Sequence, residues 1–246
     1  MPNLYETTRL LDEYLLFHYG SAEEIMPWAF GPADALHFPV RTVSTFLDNV
    51  PRDRALDLGC AVGRSTFELS RTCREVIGLD YSRSFIAAAE TLRTTGYLDY
   101  NCLEEAGRSR KLTAQRPKDC QPEHVSFEQG DAMNLREDIG TFDLVHAANL
   151  LCRLSEPAQL LRRLPALVRP GGLLILTTPC TWLEEFTPAD RWPAGSTLEW
   201  LKATLNDHFS FEKQINLPFL IREHARKFQW SVALGSAWTR KSPQNG

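Results

Sequence analysis

The fold of this chain is decided by the stretch Ala55-Leu-Asp-Leu-Gly-Cys-Ala-Val-Gly-Arg64. A short apolar run ends near Asp57, a turn follows between Gly59 and Gly63, and an amphipathic segment then begins at Arg64. This order predicts a strand, a tight turn and the start of a helix, a construction that brings backbone N–H groups against a nucleotide. The stretch therefore predicts a nucleotide-binding turn.

A second strand is predicted about twenty residues after the turn, over Glu75-Val-Ile-Gly-Leu-Asp80. It ends in an acid, and a carboxylate at this spacing suits hydrogen bonding to the paired hydroxyl groups of a ribose. Two further strands are predicted over 125–132 and 142–149, where Asp131 and Asn149 stand near the ends. Because ligands bind at the carboxyl ends of strands in open α/β sheets, we expect these side chains to share one site.

Two kinds of cofactor compete for this geometry. A dinucleotide turn carries the pattern G-x-G-x-x-G, whereas Gly59-Cys-Ala-Val-Gly63 has no third glycine after it. A carboxylate at Asp57 would repel a pyrophosphate but would suit the ammonium group of a methionine-type tail. The run resembles motif I of class I S-adenosylmethionine (SAM) methyltransferases, usually D-x-G-x-G-x-G, with Ala61 in place of the middle glycine. This resemblance implies SAM as the cofactor and S-adenosylhomocysteine (SAH) as its product.

The remaining pattern also alternates between strands and helices. Helices are predicted over 82–96, 156–168 and 197–208, and strands over 173–178, 217–222 and 230–240. Such alternation implies right-handed crossovers and a doubly wound parallel sheet. A final pair of strands, one of them antiparallel, is the usual close of the class I methyltransferase sheet. The polar segment 104–123 has no apolar period, which predicts a surface loop.

We therefore predict an α/β, Rossmann-like class I SAM-dependent methyltransferase fold that forms a single domain over residues 1–246. Its seven-stranded sheet should be mainly parallel, with an antiparallel C-terminal strand. The domain should consist of an N-terminal helical lid over 1–50, a SAM-binding core over 51–180, and a substrate loop with C-terminal strands over 181–246.

Charge and composition exclude several other functions. The net charge of −4 offers no basic surface for nucleic acid. No apolar run approaches the roughly 18 residues of a membrane span, and the N-terminus lacks a signal-peptide pattern, so we expect a cytoplasmic protein without a membrane partner. The six cysteines form no C-x-x-C pair, and we expect reduced thiols and no metal.

Six blocks along almost the whole chain carry a more specific resemblance. They are Phe17-His-Tyr-Gly20, Asp57-Leu-Gly-Cys-Ala-Val-Gly-Arg-Ser65, Ala147-Ala-Asn-Leu-Leu151, Pro170-Gly-Gly-Leu-Leu174, Thr181-Trp-Leu-Glu-Glu-Phe-Thr-Pro188 and Arg226-Lys-Phe-Gln229. Together they resemble the 4-mercaptohistidine N1-methyltransferase family. The resemblance implies methylation of a ring nitrogen of 5-thiohistidine to give ovothiol A. In ovothiol biosynthesis this activity often forms the C-terminal domain of 5-histidylcysteine sulfoxide synthase. We expect this chain to perform only the methylation, with any partner synthase encoded separately.

The same comparison assigns roles to residues of the cofactor site. We expect Asp80 to bind the ribose and Asp131 the adenine amino group, while Asn149 faces the methyl group. The predicted cofactor-binding residues are Asp57, Gly59, Cys60, Ala61, Gly63, Asp80, Tyr81, Ser82, Gly130, Asp131, Ala132 and Asn149. The predicted catalytic residues are His18, Tyr19 and Asn149. For His18 and Tyr19 the alternative is simple packing beneath the lid.

An amino-acid substrate needs opposed charges, since an arginine fork matches a carboxylate and a glutamate matches an ammonium group. The predicted substrate-binding residues are Trp182, Glu184, Glu185, Arg222, Glu223, Arg226 and Lys227. The alternative is an exposed ion-pair surface for any one of the charged residues and core packing for Trp182. At the level of function, the alternatives are methylation of another small molecule and SAM binding without turnover.

Overall fold

The computed structural model describes residues 4–48 and 50–242. Within them the chain forms seven α-helices and nine β-strands, besides short 3-10 turns. The helices are α1 (Thr8–Tyr19), α2 (Ala22–Ile25), α3 (Phe38–Ser44), α4 (Arg64–Leu69), α5 (Arg83–Thr95), α6 (Pro157–Leu167) and α7 (Thr197–Leu205). The strands are β1 (Arg52–Leu58), β2 (Cys73–Asp80), β3 (Tyr97–Glu105), β4 (Arg108–Gln115), β5 (Val125–Gln129), β6 (Phe142–Ala148), β7 (Val168–Thr178), β8 (Phe209–His224) and β9 (Lys227–Arg240).

Seven strands form one sheet in the order β5-β2-β1-β6-β7-β9-β8. The first five in this order run parallel, and β9 runs antiparallel between β7 and β8. The chain builds outward from β1 to β5 and then returns to β6 beside β1. The strand order therefore reverses between the paired strands β1 and β6. Open α/β sheets bind ligands at the carboxyl ends of the strands beside such a switch point. The predicted fold is confirmed.

Helix ends follow their sequence signals closely. The Ser82 hydroxyl accepts a hydrogen bond from the Phe85 backbone N–H, and Gly96 closes α5 with a φ of 88°. Both features match the predicted helix, because serine caps N-termini and glycine adopts the left-handed conformation without strain. Helix α6 buries the predicted apolar stripe, whereas α7 ends at Leu205, three residues before the predicted end.

The prediction of a loop over 104–123 is wrong for most of that segment. Strands β3 and β4 pair antiparallel into a separate two-stranded hairpin that begins at Tyr97. On β4 only Ala114 is fully buried, so the strand shows almost no apolar alternation. Cross-strand hydrogen bonds define this hairpin, and a polar sequence does not reveal them. The C-terminal hairpin is also longer than predicted, since β8 begins at Phe209 instead of Leu217.

The lid is part of the core and not a loose cover. Leu15, Leu16 and Ile25 are buried in the cluster that lies on one face of the sheet, and the Tyr5 carbonyl accepts hydrogen bonds from the side chains of Ser82 and Ser84. Helices α6 and α7 cover the other face. Among the described residues, no helix has the length and apolar character required to cross a membrane.

Candidate active site

One cavity of about 590 Å³ lies at the carboxyl ends of the five parallel strands. The lid covers it on one side and the β8–β9 hairpin on another. Ten predicted site residues line it: His18, Gly59, Ala61, Asp80, Tyr81, Gly130, Asp131, Ala132, Asn149 and Glu185. We call the part formed by Gly59, Ala61, Asp80, Gly130, Asp131 and Ala132 the cofactor edge. We call the facing part, formed by Tyr14, Phe17, His18, Phe38, Arg153, Glu185, Phe186, Phe219, Ile221, Gln229 and Ser231, the outer wall.

The motif I turn adopts a conformation that restricts its residues. Gly59, Ala61 and Gly63 have φ values of 71°, 49° and 85°. A Cβ atom on Gly63 would lie 2.6 Å from the Phe127 ring, so packing as well as φ requires glycine there. Ala61 occupies the left-handed region with a side chain, which a small methyl group tolerates at some cost in strain. The Cys60 thiol is buried and, like Gly63, lies behind the cavity surface.

Asp57 does not lie on the cavity wall, in contrast to its predicted contact with the cofactor. Its carboxylate is buried and accepts hydrogen bonds from the Ser65 and Thr66 hydroxyls, each at 2.7 Å. The other carboxylate oxygen lies 2.7 Å from Nδ1 of the fully buried His146. Burial alone would raise the pKa of Asp57, but the His146 charge and these hydrogen bonds hold it below its ordinary value. Asp57 therefore supports the turn and α4 from beneath.

Asp80 lies at the end of β2 on the cofactor edge, as predicted. Its carboxylate accepts hydrogen bonds at 2.9 Å from the backbone N–H groups of Ala61 and Ser82. Burial raises the pKa of Asp80 to about 6, although these two donors oppose the shift. Tyr81 is exposed at the rim of the cavity, whereas Ser82 is buried and caps α5 instead of facing a ligand.

Asp131, which is predicted to contact the adenine, lines the cavity. One Asp131 carboxylate oxygen accepts a hydrogen bond of 2.9 Å from the Met133 backbone N–H. This contact orients the side chain at the end of β5, beside Gly130 and Ala132 on the cofactor edge.

The two lid residues predicted as catalytic have different positions. The Tyr19 hydroxyl donates a 2.7 Å hydrogen bond to the Val62 carbonyl, which ties the lid to the motif I turn and away from the cavity. His18 lines the cavity, its ring packs on Tyr14 at 5.8 Å between centroids, and its Nδ1 is enclosed without a hydrogen-bond partner. Burial lowers the pKa of His18 to about 3, so the ring is neutral at ordinary pH. Tyr19 is thus a packing residue, whereas His18 faces the cavity.

Asn149 occupies the end of β6 in a left-handed conformation with a φ of 53°. Its backbone N–H donates to the Thr177 carbonyl at 2.8 Å, and its side-chain oxygen accepts from the Thr177 hydroxyl at 3.1 Å. Asparagine tolerates this conformation better than most residues, and such positions cluster at functional sites. Asn149 thus lines the cavity with a strained backbone and a fixed side chain, and its role toward the methyl group stays a prediction.

Most of the predicted substrate residues do not reach the cavity. Arg222 is buried on the opposite side of β8 from Ile221, where it donates to the Glu24 carbonyl at 2.6 Å and pairs with Glu104 at 2.9 Å. Successive side chains on a strand point to opposite faces, so Ile221 takes the cavity side. Residues 223–227 lie toward the turn of the hairpin, where Glu223 and Lys227 pair at 2.7 Å.

Arg226 and Trp182, which are also predicted to bind the substrate, do not line the cavity either. The Arg226 guanidinium packs over Trp28 at 5.5 Å. Trp182 makes an edge-to-face contact with Trp200 and donates to the Thr197 hydroxyl at 3.1 Å, so it is a core residue. Glu184 is exposed and does not line the cavity. Within the predicted substrate set, only Glu185 lies on the outer wall.

Arg153 is the most informative residue that the sequence reading missed. It follows Asn149 by four positions, in a 3-10 turn directly after β6. That turn returns the chain to the cavity, where Arg153 is the one arginine or lysine among the described lining residues. The available signal was an arginine two residues after the block that ends at Leu151, close to the carboxyl end of β6.

A model of the methyltransferase domain family matches residues 33–217, a range that contains all five parallel strands. The chain therefore belongs to this family. Together with the fold, this membership identifies it as a SAM-dependent methyltransferase domain, so the predicted enzyme class and cofactor are confirmed.

Relatives with assigned activities match only part of their own length. Trans-aconitate 2-methyltransferase of Deinococcus radiodurans is 30% identical over 59% of this chain and 45% of its own. Ubiquinone biosynthesis O-methyltransferase of a Bradyrhizobium species is 27% identical over 64% of this chain and 54% of its own. This chain thus spans about half the length of the curated relatives it matches.

Solved structures share the fold at low sequence identity. The N-methyltransferase NodS of Bradyrhizobium japonicum, in complex with SAH, has a TM-score of 0.59 at 16% identity, covering 96% of this chain and 100% of NodS. The YcgJ protein of Bacillus subtilis has a TM-score of 0.55 at 13% identity, covering 83% of this chain and 98% of YcgJ.

The cavity fits SAM in its shape and donor set. The motif I turn reaches the cavity at Gly59 and Ala61, where Gly59 has no side chain and a Cβ atom would crowd Leu150 at 3.1 Å. Asp80 and Asp131 stand at the ends of adjacent strands β2 and β5, where they would hold the ribose and adenine.

Proposed function

We propose that this methyltransferase transfers the SAM methyl group to an imidazole ring nitrogen of 5-thiohistidine, giving ovothiol A. The outer wall is the observation that carries the proposal. It combines aromatic rings from the lid and the hairpin with one guanidinium, Arg153, and one carboxylate, Glu185. Such a wall suits a small, flat amino-acid zwitterion. The blocks that resemble the mercaptohistidine enzymes point independently to the same acceptor.

The protein's chemical task in this reaction is mainly alignment. SAM supplies an electrophilic methyl group on a sulfonium, and a neutral imidazole nitrogen is already nucleophilic. Orientation of two reacting groups lowers a barrier by roughly 7–11 kcal/mol in favourable cases. The neutral ring of His18 adds no positive charge to this site. Asn149, whose side-chain oxygen accepts a hydrogen bond from the Thr177 hydroxyl, would present a fixed amide to the bound reactants.

The acceptors of the relatives suit the outer wall less well. Trans-aconitate carries three carboxylates, whereas Arg153 is the one arginine or lysine among the described residues that line the cavity. Three charges would face a single guanidinium there, which disfavours a tricarboxylate. The remaining alternatives, another small acceptor or SAM binding without turnover, are outcomes of the experiment below. We further propose that a sulfoxide synthase is the partner that leads to the acceptor.

The test is incubation of the purified protein with SAM and 5-thiohistidine, followed by mass spectrometry and NMR of the product. We expect one added methyl group on a ring nitrogen, and little or no methylation of histidine. A thiol-binding pocket rejects histidine because each buried polar group left unpaired costs roughly 1–3 kcal/mol. Equal turnover of both acceptors would contradict the specificity but not the reaction. Methylation of neither would refute the proposal and favour the alternatives.

The pH dependence of the rate should come from the acceptor and not from His18. The rate should rise as the acceptor ring loses its proton, since only the neutral ring is nucleophilic. His18 is already neutral throughout this range because its pKa is about 3. We therefore expect the His18→Gln variant to retain the midpoint of the acidic limb in a kcat/KM profile, even if its rate is lower. Loss of that limb in the variant would show that His18 is the titrating group.

A further inference from the structure

We propose that Arg153 binds the α-carboxylate of the acceptor and that Glu185 binds its ammonium group. These two residues thereby form a clamp for the amino-acid end of the acceptor, in place of the tail charges suggested by the sequence. This inference rests on the proposed function, because it assumes an amino-acid acceptor. It adds the residues that would select acceptors with both charged groups.

The Arg153 guanidinium is held in one orientation. Its Nη1 donates to the carbonyls of Cys152 and Thr181, each at 3.2 Å, and lies 3.6 Å from the Cys152 thiol sulfur. Its central carbon lies 4.7 Å from the centre of the Phe186 ring, and the Tyr5 hydroxyl is also in hydrogen-bonding contact. These contacts occupy one side of the fork and leave donors for a planar, bidentate anion. A guanidinium held in one orientation loses little conformational entropy when it binds an anion.

The charge of Arg153 is not matched by a carboxylate of residues 4–48 and 50–242. In the described part of the chain, no carboxylate lies within the 4.0 Å of an ion pair from this guanidinium. The half-buried guanidinium keeps its positive charge over the Phe186 ring, and an anion bound there would give it a partner of opposite charge. The structure therefore favours an acceptor that carries an anion at this point of the wall.

Glu185 provides the complementary charge from the same part of the wall. It directly precedes Phe186, the ring beneath Arg153, and both lie in the loop whose Thr181 carbonyl holds the guanidinium. The other two cavity carboxylates, Asp80 and Asp131, belong to the cofactor edge. Arg153 and Glu185 thus remain as the pair of opposite sign available to a zwitterion.

SAM also carries a carboxylate, so the experiment must show whether Arg153 binds the carboxylate of the acceptor or that of SAM. The variants are Arg153→Gln, Arg153→Lys and Glu185→Gln. The matched control is Arg191→Gln, which removes an arginine of the same loop region that pairs with Glu156 outside the cavity. Each protein is assayed with 5-thiohistidine and with its decarboxylated analogue, and SAH binding is measured by calorimetry.

For Arg153→Gln we expect at least about a tenfold loss of kcat/KM, mainly through KM, with 5-thiohistidine. The loss with the decarboxylated analogue should be less than about twofold, since that acceptor has no carboxylate to lose. Arg153→Lys should be intermediate, because it keeps the charge but not the fork. Glu185→Gln should impair both acceptors, since both carry an ammonium group. Arg191→Gln should match the parent protein, and SAH affinity should be unchanged in all four variants.

Equal losses with both acceptors in Arg153→Gln would overturn the carboxylate assignment. Weaker SAH binding in that variant would assign the guanidinium to the cofactor and also overturn it. Unchanged SAH binding serves as the check that the variant is folded. If the parent protein binds and methylates 5-thiohistidine while Arg153→Gln is unaffected, only the clamp fails. If the parent protein neither binds nor methylates 5-thiohistidine, the proposed function fails, and the clamp fails with it.

Discussion

At the scale of single residues, Asp57 shows how a motif acid can serve a cofactor without touching it. Three donors, from Ser65, Thr66 and His146, converge on its buried carboxylate. They join β1, β6 and the start of α4 directly beneath the motif I turn. The geometry of that turn, and hence cofactor affinity, depends on this contact.

We expect Asp57→Asn to lower the free energy of unfolding by about 3–5 kcal/mol, because an amide cannot accept all three hydrogen bonds and leaves His146 without its charged partner. The change should also weaken SAH binding. Denaturant unfolding and calorimetry measure the two effects. The matched control is Asp53→Asn on the same strand, where the carboxylate is exposed and should contribute less than about 0.5 kcal/mol.

The Asp57 contribution also has a defined pH window. Its folded pKa lies below the ordinary value of 3.8, so its stabilisation is fully present above about pH 4. It is lost as pH falls through the lowered folded value. Equal acid sensitivity of the parent protein and Asp57→Asn would contradict this assignment.

Asp80 should make SAH binding depend on pH. Its pKa of about 6 means that it becomes protonated in mildly acidic solution, and a carboxylic acid accepts hydrogen bonds from a ribose less well than a carboxylate does. We expect SAH affinity in the parent protein to fall as pH decreases through about 6. In Asp80→Asn, affinity should be weaker at neutral pH and nearly independent of pH. Calorimetric titrations between about pH 5 and 8 test this, and a parallel decrease in both proteins would exclude Asp80 as the source.

At the scale of elements, the motif I turn and the long β8–β9 hairpin both contribute residues that line the cavity. Side chains alternate along β8, so Phe219 and Ile221 contribute to the outer wall. Leu220 between them and Arg222 beyond them face the lid side. The turn is constrained by φ and by packing at once. A substitution there should therefore cost more than φ strain alone.

We expect Gly63→Ala to destabilise the fold more than Gly171→Ala does. Both glycines have positive φ, but a Cβ at Gly63 meets Phe127 at 2.6 Å, whereas nothing lies within 4 Å at Gly171. The Gly171 change should cost about 1 kcal/mol of φ strain, and the Gly63 change should add about 1–3 kcal/mol of overpacking. Thermal or denaturant unfolding gives both values. Equal costs would show that Phe127 moves aside freely.

At the scale of the whole molecule, Arg222 joins three separate units. Its guanidinium links β8 to the Glu24 carbonyl of the lid and to the Glu104 carboxylate of the inserted hairpin. The insertion, which the sequence suggested was a surface loop, is thus connected to the C-terminal hairpin that covers the active site. Its pairing stabilises the region around the cavity without forming part of it.

Removal of this connection should be costly. We expect Glu104→Gln to lower the free energy of unfolding by about 2–4 kcal/mol, because the Arg222 side chain is only 2% exposed and would lose its charged partner. Glu105→Gln is the control, since that neighbouring side chain is exposed and should change stability by less than about 0.5 kcal/mol. If the two variants unfold alike, the ion pair does not connect the units energetically.

Much of the cofactor edge could be predicted from the sequence, although Asp57, Cys60, Gly63 and Ser82 lie behind it. The glycines of the turn, Asp80 and Asp131 act through local geometry, because a strand end followed by a turn places them wherever parallel strands finish. The class of protein, the cofactor and the mainly parallel sheet were predicted from that local pattern, whereas the order of the strands comes from the structure. The polar β3 and β4 hairpin escaped prediction because pairing between strands is a long-range property with little trace in one strand's composition.

Only the tertiary structure decided which charges face the substrate cavity. Arg222 and Arg153 have the same chemistry in the sequence, yet strand alternation buries one against Glu104 while a short turn after β6 brings the other to the cavity wall. The direction of the Arg222 side chain depends on the register of β8 with β9 and on packing against the lid. Those contacts join residues far apart in the chain, and for that reason the substrate half depended on the folded molecule.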